Sequence, residues 1–164
     1  MKGKHTVNKS KIGTFLLCGI VCVGLVLSSM NCAGLGMSYG NISLNITDQP
    51  LWGPAGYDYA DYYYIPDIDA YYSVSERQYI YRDGPSWVHA RTLPSRYSGY
   101  DPYHSYKVVI NEDKPYEHND SHRAQYKDYK GSKEQQVIRD SHDSKYRARK
   151  DHPEHEKWVK EQNQ

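Results

Sequence analysis

The chain has 164 residues, which is enough for one domain, and its three cysteines all lie within the first 32 positions. If the N-terminal segment described next is removed, 17 Lys and Arg face 20 Asp and Glu, so the formal net charge changes from +1 to −3. This balance excludes the basic footprint of a nucleic-acid-binding protein. The missing cysteines exclude a disulfide framework and a thiol nucleophile from the processed chain.

Residues 1–34 have the pattern of a secretory signal peptide. Four lysines in the first 11 positions precede residues 15–27 (FLLCGIVCVGLVL), which are apolar or glycine, and residues 28–36 supply small side chains for cleavage. A spanning helix needs about 20 apolar residues, so the pattern favours a cleaved signal over a retained anchor. Both interpretations predict an exported, periplasmic or envelope-associated protein, because the lysines stay on the cytoplasmic side.

Cys32 adds a third interpretation of the N-terminus, a lipid on the first residue of the processed chain. Asn31 stands where such a site normally has a small residue, so this alternative is the less favoured one. Contact with a membrane is therefore expected only through an uncleaved N-terminal helix or a lipid on Cys32.

Residues 35–56 are predicted to form an extended leader with an edge strand. The alternation of Ile42, Leu44 and Ile46 within residues 41–47 is typical of a strand with one apolar face. Residues 49–56 (QPLWGPAG) then predict an ordered turn or an extended arm, with Trp52 as its anchor.

Residues 57–116 are predicted to form a tyrosine-rich β module. Three runs, residues 70–74, 78–82 and 86–90, are rich in aromatic and β-branched side chains, and turn sequences separate them. The turn at residues 83–85 contains Asp-Gly, a strong hairpin signal. The pattern predicts a short antiparallel meander, and the fold class mainly β (small α+β).

Side-chain alternation in this meander leaves no face polar. Tyr79 and Tyr81 share one face with Ile80 opposite, and Trp87 and His89 share a face with Val88 opposite. Something must therefore cover the second face. The sequence predicts that residues 62–65 and 106–110 do so.

Tyrosine replaces aliphatic residues in the predicted core. After the signal segment the chain has only 4 Leu, 7 Ile and 6 Val, below the roughly 20% of large apolar residues expected of a globular domain. All 18 tyrosines lie in the same region. A buried tyrosine still needs a partner for its hydroxyl, so we expect a thin core whose hydroxyls reach water at its edges.

Residues 117–164 form a polar tail that is predicted to be partly helical or disordered. Ser132 followed by Gln135 resembles a capping box, which predicts a helix anchored by Val137 and Ile138. Pro153 suits the first position of a second helix, which would place Trp158 and Val159 against the body.

Paired histidines in the tail predict a candidate metal site, with solvated histidines as the more common alternative. Their spacings of i, i+4 and i, i+3 can place two imidazoles on one helix face. The residues are His118 and His122, and His152 and His155. Four aspartates of the tyrosine-rich segment, at positions 58, 61, 67 and 69, could bind a cation or a sugar, or simply mark solvated turns.

Large aromatic side chains are the main functional lead. We predict a ligand or partner surface, with core packing as the alternative role, at Trp52, Tyr63, Tyr72, Tyr79, Tyr81 and Trp87. No nucleophile elbow and no phosphate-binding glycine loop is present, so neither an enzyme nor a cofactor is expected. The expected partners are an envelope protein or, alternatively, a cell-wall glycan.

Four segments resemble uncharacterised exported proteins of Bacteroidetes-type Gram-negative bacteria. They are QPLWGPAGYDYADYYYIPDIDAYYSV, QYIYRDGPSWVHARTLPSRY, YDPYHSYKVVINEDKPY and IRDSHDSKYRARKDHPEHEKW, which together cover most of the chain after the signal segment. The resemblance implies an envelope location and carries no activity and no site residues.

Overall fold

The computed structural model describes residues 44–164. The predicted signal peptide (1–34), the candidate lipidation site at Cys32 and the leader up to residue 43 lie outside the described residues.

Five antiparallel strands form one open sheet in the order β4-β3-β2-β1-β5. The strands are β1 (Tyr62–Ile65), β2 (Ala70–Ser73), β3 (Gln78–Asp83), β4 (Ser86–Ala90) and β5 (Val108–Ile110). The meander β2-β3-β4 is confirmed to within a residue at each boundary, and the mainly β, small α+β class is confirmed.

Helical segments are short. Three α-helices are described: α1 (Asn119–Gln125), α2 (Ser144–Arg147) and α3 (His155–Gln162). Four 3-10 turns span Ser95–Tyr97, Pro115–His118, Lys127–Tyr129 and Ile138–Asp140.

The prediction that residues 62–65 and 106–110 cover the second face is wrong, because both segments extend the sheet instead. Tyr62 lies opposite Ser73 of β2 on one side and Ile110 of β5 on the other, so β1 is an interior strand. A four-residue turn, residues 66–69, connects β1 to β2 as a hairpin. Because this loop is short, pairing the two strands costs little conformational entropy.

One sheet face, here called the Trp52 face, buries a row of aromatic rings. Tyr63, Tyr72 and Tyr79 are cross-strand neighbours, and Tyr63 is fully buried. The indole of Trp52 covers them, with its ring centroid 4.7 Å from that of Tyr72 and 5.7 Å from that of Tyr63. Such edge-to-face pairs contribute about 0.5–1.5 kcal/mol each beyond the burial of their area.

The opposite face, the His122 face, carries Tyr64 and Tyr71 as cross-strand partners beside Ile80. Helix α1 covers this face. His122 lies 5.9 Å from Tyr71 between ring centroids, and Tyr126, directly after the helix, lies 6.0 Å from Tyr64. The residues that cover both faces therefore come from before and after the sheet.

The tyrosine core is confirmed, but several of its hydroxyls bond to partners within the protein rather than to water at its edges. The Tyr63 hydroxyl donates to Oε1 of the fully buried Gln49 at 2.9 Å. The Tyr64 hydroxyl donates to Asp69 at 3.0 Å, and the Tyr146 hydroxyl accepts from the backbone N–H of Gly56 at 2.8 Å. Side-chain and backbone groups of the protein therefore satisfy these three phenols, whereas the buried Tyr100 hydroxyl has no partner within the described residues.

The C-terminal tail is partly helical, as predicted, and it contributes to the core. The helix expected from Ser132 is absent: residues 132–136 have no regular structure, and Val137 forms a β-bridge with Pro54. Backbone pairing replaces the helix here, because the N–H of Ile138 donates to Gly53 O at 2.9 Å. Val137 and Ile138 are buried, so this part of the tail is firmly docked.

Two further boundaries differ from expectation. The described part of the predicted edge strand, residues 44–47, is not a strand: a turn begins at residue 46, and the Asn45 side chain pairs with both backbone groups of Ala60 at 2.7 and 3.0 Å. Helix α3 begins at His155 rather than Pro153, and Trp158 and Val159 are half-buried on it.

Candidate functional site

Three of the six aromatic residues predicted to form an exposed surface cannot do so. Tyr63 is 0% exposed, and Tyr72 and Tyr81 are each 8% exposed. Few aliphatic side chains are available, so these rings fill the core between the strands and their cover. The interpretation of these three residues as a partner surface is therefore wrong, and their role is packing.

Trp52 and Tyr79 are half-buried and stack on each other. Their ring centroids are 6.2 Å apart with an angle of 10° between the planes, and both contact Tyr72. Each ring thus packs against the core on one side, so only its other side could contact a ligand.

Trp87 is the predicted aromatic residue with the most distinctive surroundings. It lies on β4, an edge strand, with the guanidinium of Arg82 5.0 Å from its ring centroid. The rings of Tyr116 and His89 complete the group: Tyr116 lies 5.7 Å from Trp87, and His89 lies 5.4 Å from Tyr116. We call Arg82, Trp87, His89 and Tyr116 the edge patch.

The two edges of the sheet differ in how their backbone groups are satisfied. At the β5 edge, the side-chain amide of Gln135 pairs with the backbone of Lys107, as a neighbouring strand would. The N–H of Lys107 donates to Oε1 of Gln135 at 2.9 Å, and Nε2 of Gln135 donates to Lys107 O at 2.8 Å. At the other edge, β4 pairs with β3 alone, and within residues 44–164 nothing caps its outer side. An open edge of this kind is a template for another strand.

The candidate metal ligand His122 is part of a buried hydrogen-bond network. Its Nδ1 lies 2.9 Å from the Tyr71 hydroxyl and its Nε2 lies 3.9 Å from Glu112. Burial lowers the pKa of His122, with Glu112 opposing the shift, so the imidazole favours its neutral form. His118 is exposed, and its Nδ1 lies 3.5 Å from the same carboxylate.

The second histidine pair is occupied by backbone contacts. Nδ1 of His152 accepts from the N–H of Glu154 at 3.1 Å, and its Nε2 lies 3.2 Å from Ile138 O. Nδ1 of His155 lies 3.0 Å from Arg147 O. Across residues 44–164 no group of three or more His, Cys, Asp or Glu side chains is arranged to hold a metal ion. The structure does not bring His152 and His155 together as ligands.

A groove of about 690 Å³ opens at the end of the sheet where β1 turns into β2. Two of the four aspartates named from the sequence, Asp67 and Asp69, line it. The other two lie elsewhere: Asp58 pairs with Lys145, and Asp61 accepts from the Tyr59 hydroxyl. The opposite walls come from residues 96–105 and 130–133.

A buried lysine near the groove was not predicted. Lys107 is 1% exposed, and its ammonium donates to Pro102 O at 2.6 Å. Burial lowers the pKa of this amine to about 8, and Asp101 and Asp67 oppose the shift. The nearby Tyr100 hydroxyl is buried without a hydrogen-bond partner. The only sequence signal was a lysine inside the apolar run YKVVI.

Comparisons with protein-family models, with curated proteins and with solved structures found no significant match for this chain. The helices described between residues 44 and 164 include none with the length and apolar character of a membrane span. The resemblance to exported Bacteroidetes-type proteins therefore stays a prediction.

Proposed function

We propose that this chain is an exported, non-enzymatic protein-interaction module of the cell envelope, and that it binds an extended segment of another protein along β4 and the edge patch. The observation that carries the proposal is that β4 combines an open backbone edge with a Trp–Arg–Tyr cluster. Export itself rests on the sequence of residues 1–34.

The chemistry of the edge patch supports a protein partner. Trp, Tyr and Arg are the residues that most often dominate binding energy at protein interfaces. Here the rings of Trp87 and Tyr116 are held in place by the sheet and by each other, so little conformational entropy is lost on binding.

The geometry of β4 supports strand addition as the binding mode. Backbone hydrogen bonds to an added strand supply affinity, and alternate side chains of that strand supply specificity. Arg82 and Arg91 are exposed beside β4, and among the described residues neither makes an ion pair. This uncompensated charge favours a partner segment that carries Asp or Glu.

Photocrosslinking in the native envelope tests the proposal. In one variant, a photoreactive amino acid replaces the exposed His89 on β4. In the matched control, it replaces the exposed Tyr57, which precedes β1 in the chain. We expect one protein adduct from position 89 that is lost when Arg82→Glu is added and kept when Lys157→Glu is added. Adducts that are equal at both positions, or absent from position 89, would overturn the proposal.

A further inference from the structure

The groove at the β1–β2 turn continues into a second cavity. A pocket of about 270 Å³ shares Asp69 and Lys130 with the larger one of about 690 Å³, so the two lie side by side around residues 66–69. The larger volume alone is within the range of about 300–1,000 Å³ typical of small-ligand sites. The combined cleft has room for more than one sugar-sized unit.

The carboxylates of the cleft are already used by the protein. Asp67 accepts from the N–H of Gly131 at 2.6 Å. Asp69 accepts from Asn119 at 2.8 Å and also from the Tyr64 hydroxyl. Asp101 accepts from the N–H of Tyr103 at 2.9 Å and pairs with His104 at 2.6 Å, which lowers its pKa. Oδ1 of Asp67, Oδ1 of Asp69 and both oxygens of Asp101 are therefore directed at groups of the protein itself.

The lysine side chains that line the cleft have no ion-pair or hydrogen-bond partners within the described residues. Lys127, Lys130 and Lys133 recur at every third residue, and all three are exposed. In the part of the chain that the structure describes, none of them makes an ion pair or a side-chain hydrogen bond. Lys130 and Lys133 line the larger cavity, and Lys127 and Lys130 line the smaller one. These three lysines thus offer a ligand hydrogen-bond donors with positive charge.

An aromatic ring completes the larger cavity. Tyr97 is half-buried at its wall, with the guanidinium of Arg96 4.9 Å from the ring centroid and the ring of Tyr81 6.1 Å away. These two contacts hold the ring in place, and because the guanidinium covers one ring face, a ligand can stack only on the other face. A ligand that binds here should have a flat apolar side to stack on Tyr97 and acidic groups to pair with the lysines.

We propose that this cleft binds an acidic saccharide, a short sugar chain that carries carboxylates. One sugar ring packs on Tyr97, its carboxylate pairs with Lys130 and Lys133, and a further acidic unit meets Lys127 in the smaller cavity. The proposal does not depend on the edge patch, because none of the edge-patch residues lines either cavity.

Calorimetric titration of the processed chain at low salt tests this proposal. The probes are trigalacturonate, the neutral maltotriose, triglutamate and inorganic phosphate. We expect binding of trigalacturonate only. The double variant Lys130→Gln/Lys133→Gln should weaken it by on the order of tenfold per lysine, because each removes a charge-assisted hydrogen bond. Lys157→Gln/Lys160→Gln, on exposed positions of α3, is the matched control and should leave the affinity unchanged.

The aromatic contact has its own control. Tyr97→Leu should weaken trigalacturonate binding, and Tyr97→Phe, which keeps the ring, should not. Thermal unfolding of both variants checks that they fold. Absence of trigalacturonate binding overturns the proposal. So does equal binding of triglutamate, which would indicate an acidic peptide, or equal binding of phosphate, which would indicate simple anion binding.

Discussion

The hydroxyl of Tyr71 lies 2.9 Å from Nδ1 of His122, and this hydrogen bond joins the middle of the sheet to the helix that covers it. Both side chains are buried, and Asn119 of the same helix donates to the Tyr71 hydroxyl at 3.4 Å. In the neutral imidazole, which burial favours, Nδ1 can accept a hydrogen bond from the phenol while Nε2–H points toward Glu112. The attachment of α1 therefore depends on the protonation state of one histidine.

The stability of the protein should fall in mild acid. Burial lowers the pKa of His122 below its ordinary value of 6.5. The unfolded chain then binds more protons than the folded one as the pH falls below that value, so stability present above it is lost progressively. Urea unfolding over this range measures the effect. His122→Gln should flatten the slope. An equal slope in wild type and His122→Gln would contradict the assignment.

Removing the Tyr71 hydroxyl should weaken the same contact. Tyr71→Phe keeps the ring but leaves buried Nδ1 of His122 without its partner, a change that costs about 1–3 kcal/mol of unfolding free energy. Tyr57→Phe, at a residue 42% exposed, is the control and should lie within about 0.5 kcal/mol of wild type. Chemical denaturation of the two variants makes the comparison, and equal stabilities would show that the bond contributes nothing net.

Above about pH 10 the tyrosine core should become a source of instability. Burial raises the pKa of Tyr79 to about 12, and it also raises the pKa of Tyr63, Tyr64 and Tyr71 above the ordinary 10.0. In the folded state these phenols hold protons that the unfolded chain releases near its ordinary pKa, so stability falls as the pH rises beyond it. The tyrosinate absorbance of these buried residues, as distinct from that of exposed tyrosines such as Tyr57, should therefore appear together with loss of the folded circular dichroism signal. Ionisation of the complete set of tyrosines while the fold persists would contradict this expectation.

Deprotonation of Lys107 should raise the stability of the protein between pH 8 and pH 10.5, in contrast to the effect of the tyrosines. Its folded pKa of about 8 lies below the ordinary 10.5, so the folded protein loses this proton first and gains stability as the pH rises across that interval. The full difference corresponds to roughly 3 kcal/mol. Lys107→Met removes the titration, and unfolding in urea across this interval should then show no rise. A rise that survives the substitution would assign it to another group.

The sequence predicted the parts of this fold that depend on neighbours in the chain. Alternation in residues 70–90 and the Asp-Gly turn fixed the meander, and the shortage of aliphatic residues pointed to tyrosine as the core. Contacts between distant segments left no such pattern. The amide of Gln135 closes the β5 edge 28 residues from Lys107, and the guanidinium of Arg149 reaches Gln49 O across 100 residues.

The candidate sites show the same difference between features that are local in the chain and features that depend on distant segments. Trp87 was predicted as a surface residue because large aromatic side chains can be read directly from the sequence, and the structure places it on the edge strand β4. The groove was missed because its walls come from the β1–β2 turn, residues 96–105 and residues 130–133, which only the tertiary fold brings together. The histidine spacings were genuine local patterns, but tertiary contacts with Tyr71, Ile138 and Arg147 occupy the rings.

Gly53 should tolerate no side chain, because the backbone passes directly over the buried end of Tyr63. A Cβ at position 53 would lie 2.6 Å from the Tyr63 hydroxyl oxygen and 3.0 Å from Pro50 O. The phenol cannot move aside without losing its bond to Gln49, so Gly53→Ala should cost about 1–3 kcal/mol of unfolding free energy. Gly99→Ala is the matched control, since its Cβ would meet no atom within 4 Å. Equal denaturation midpoints for the two variants would mean that the Tyr63 hydroxyl and the Pro50 carbonyl can move aside without cost to stability.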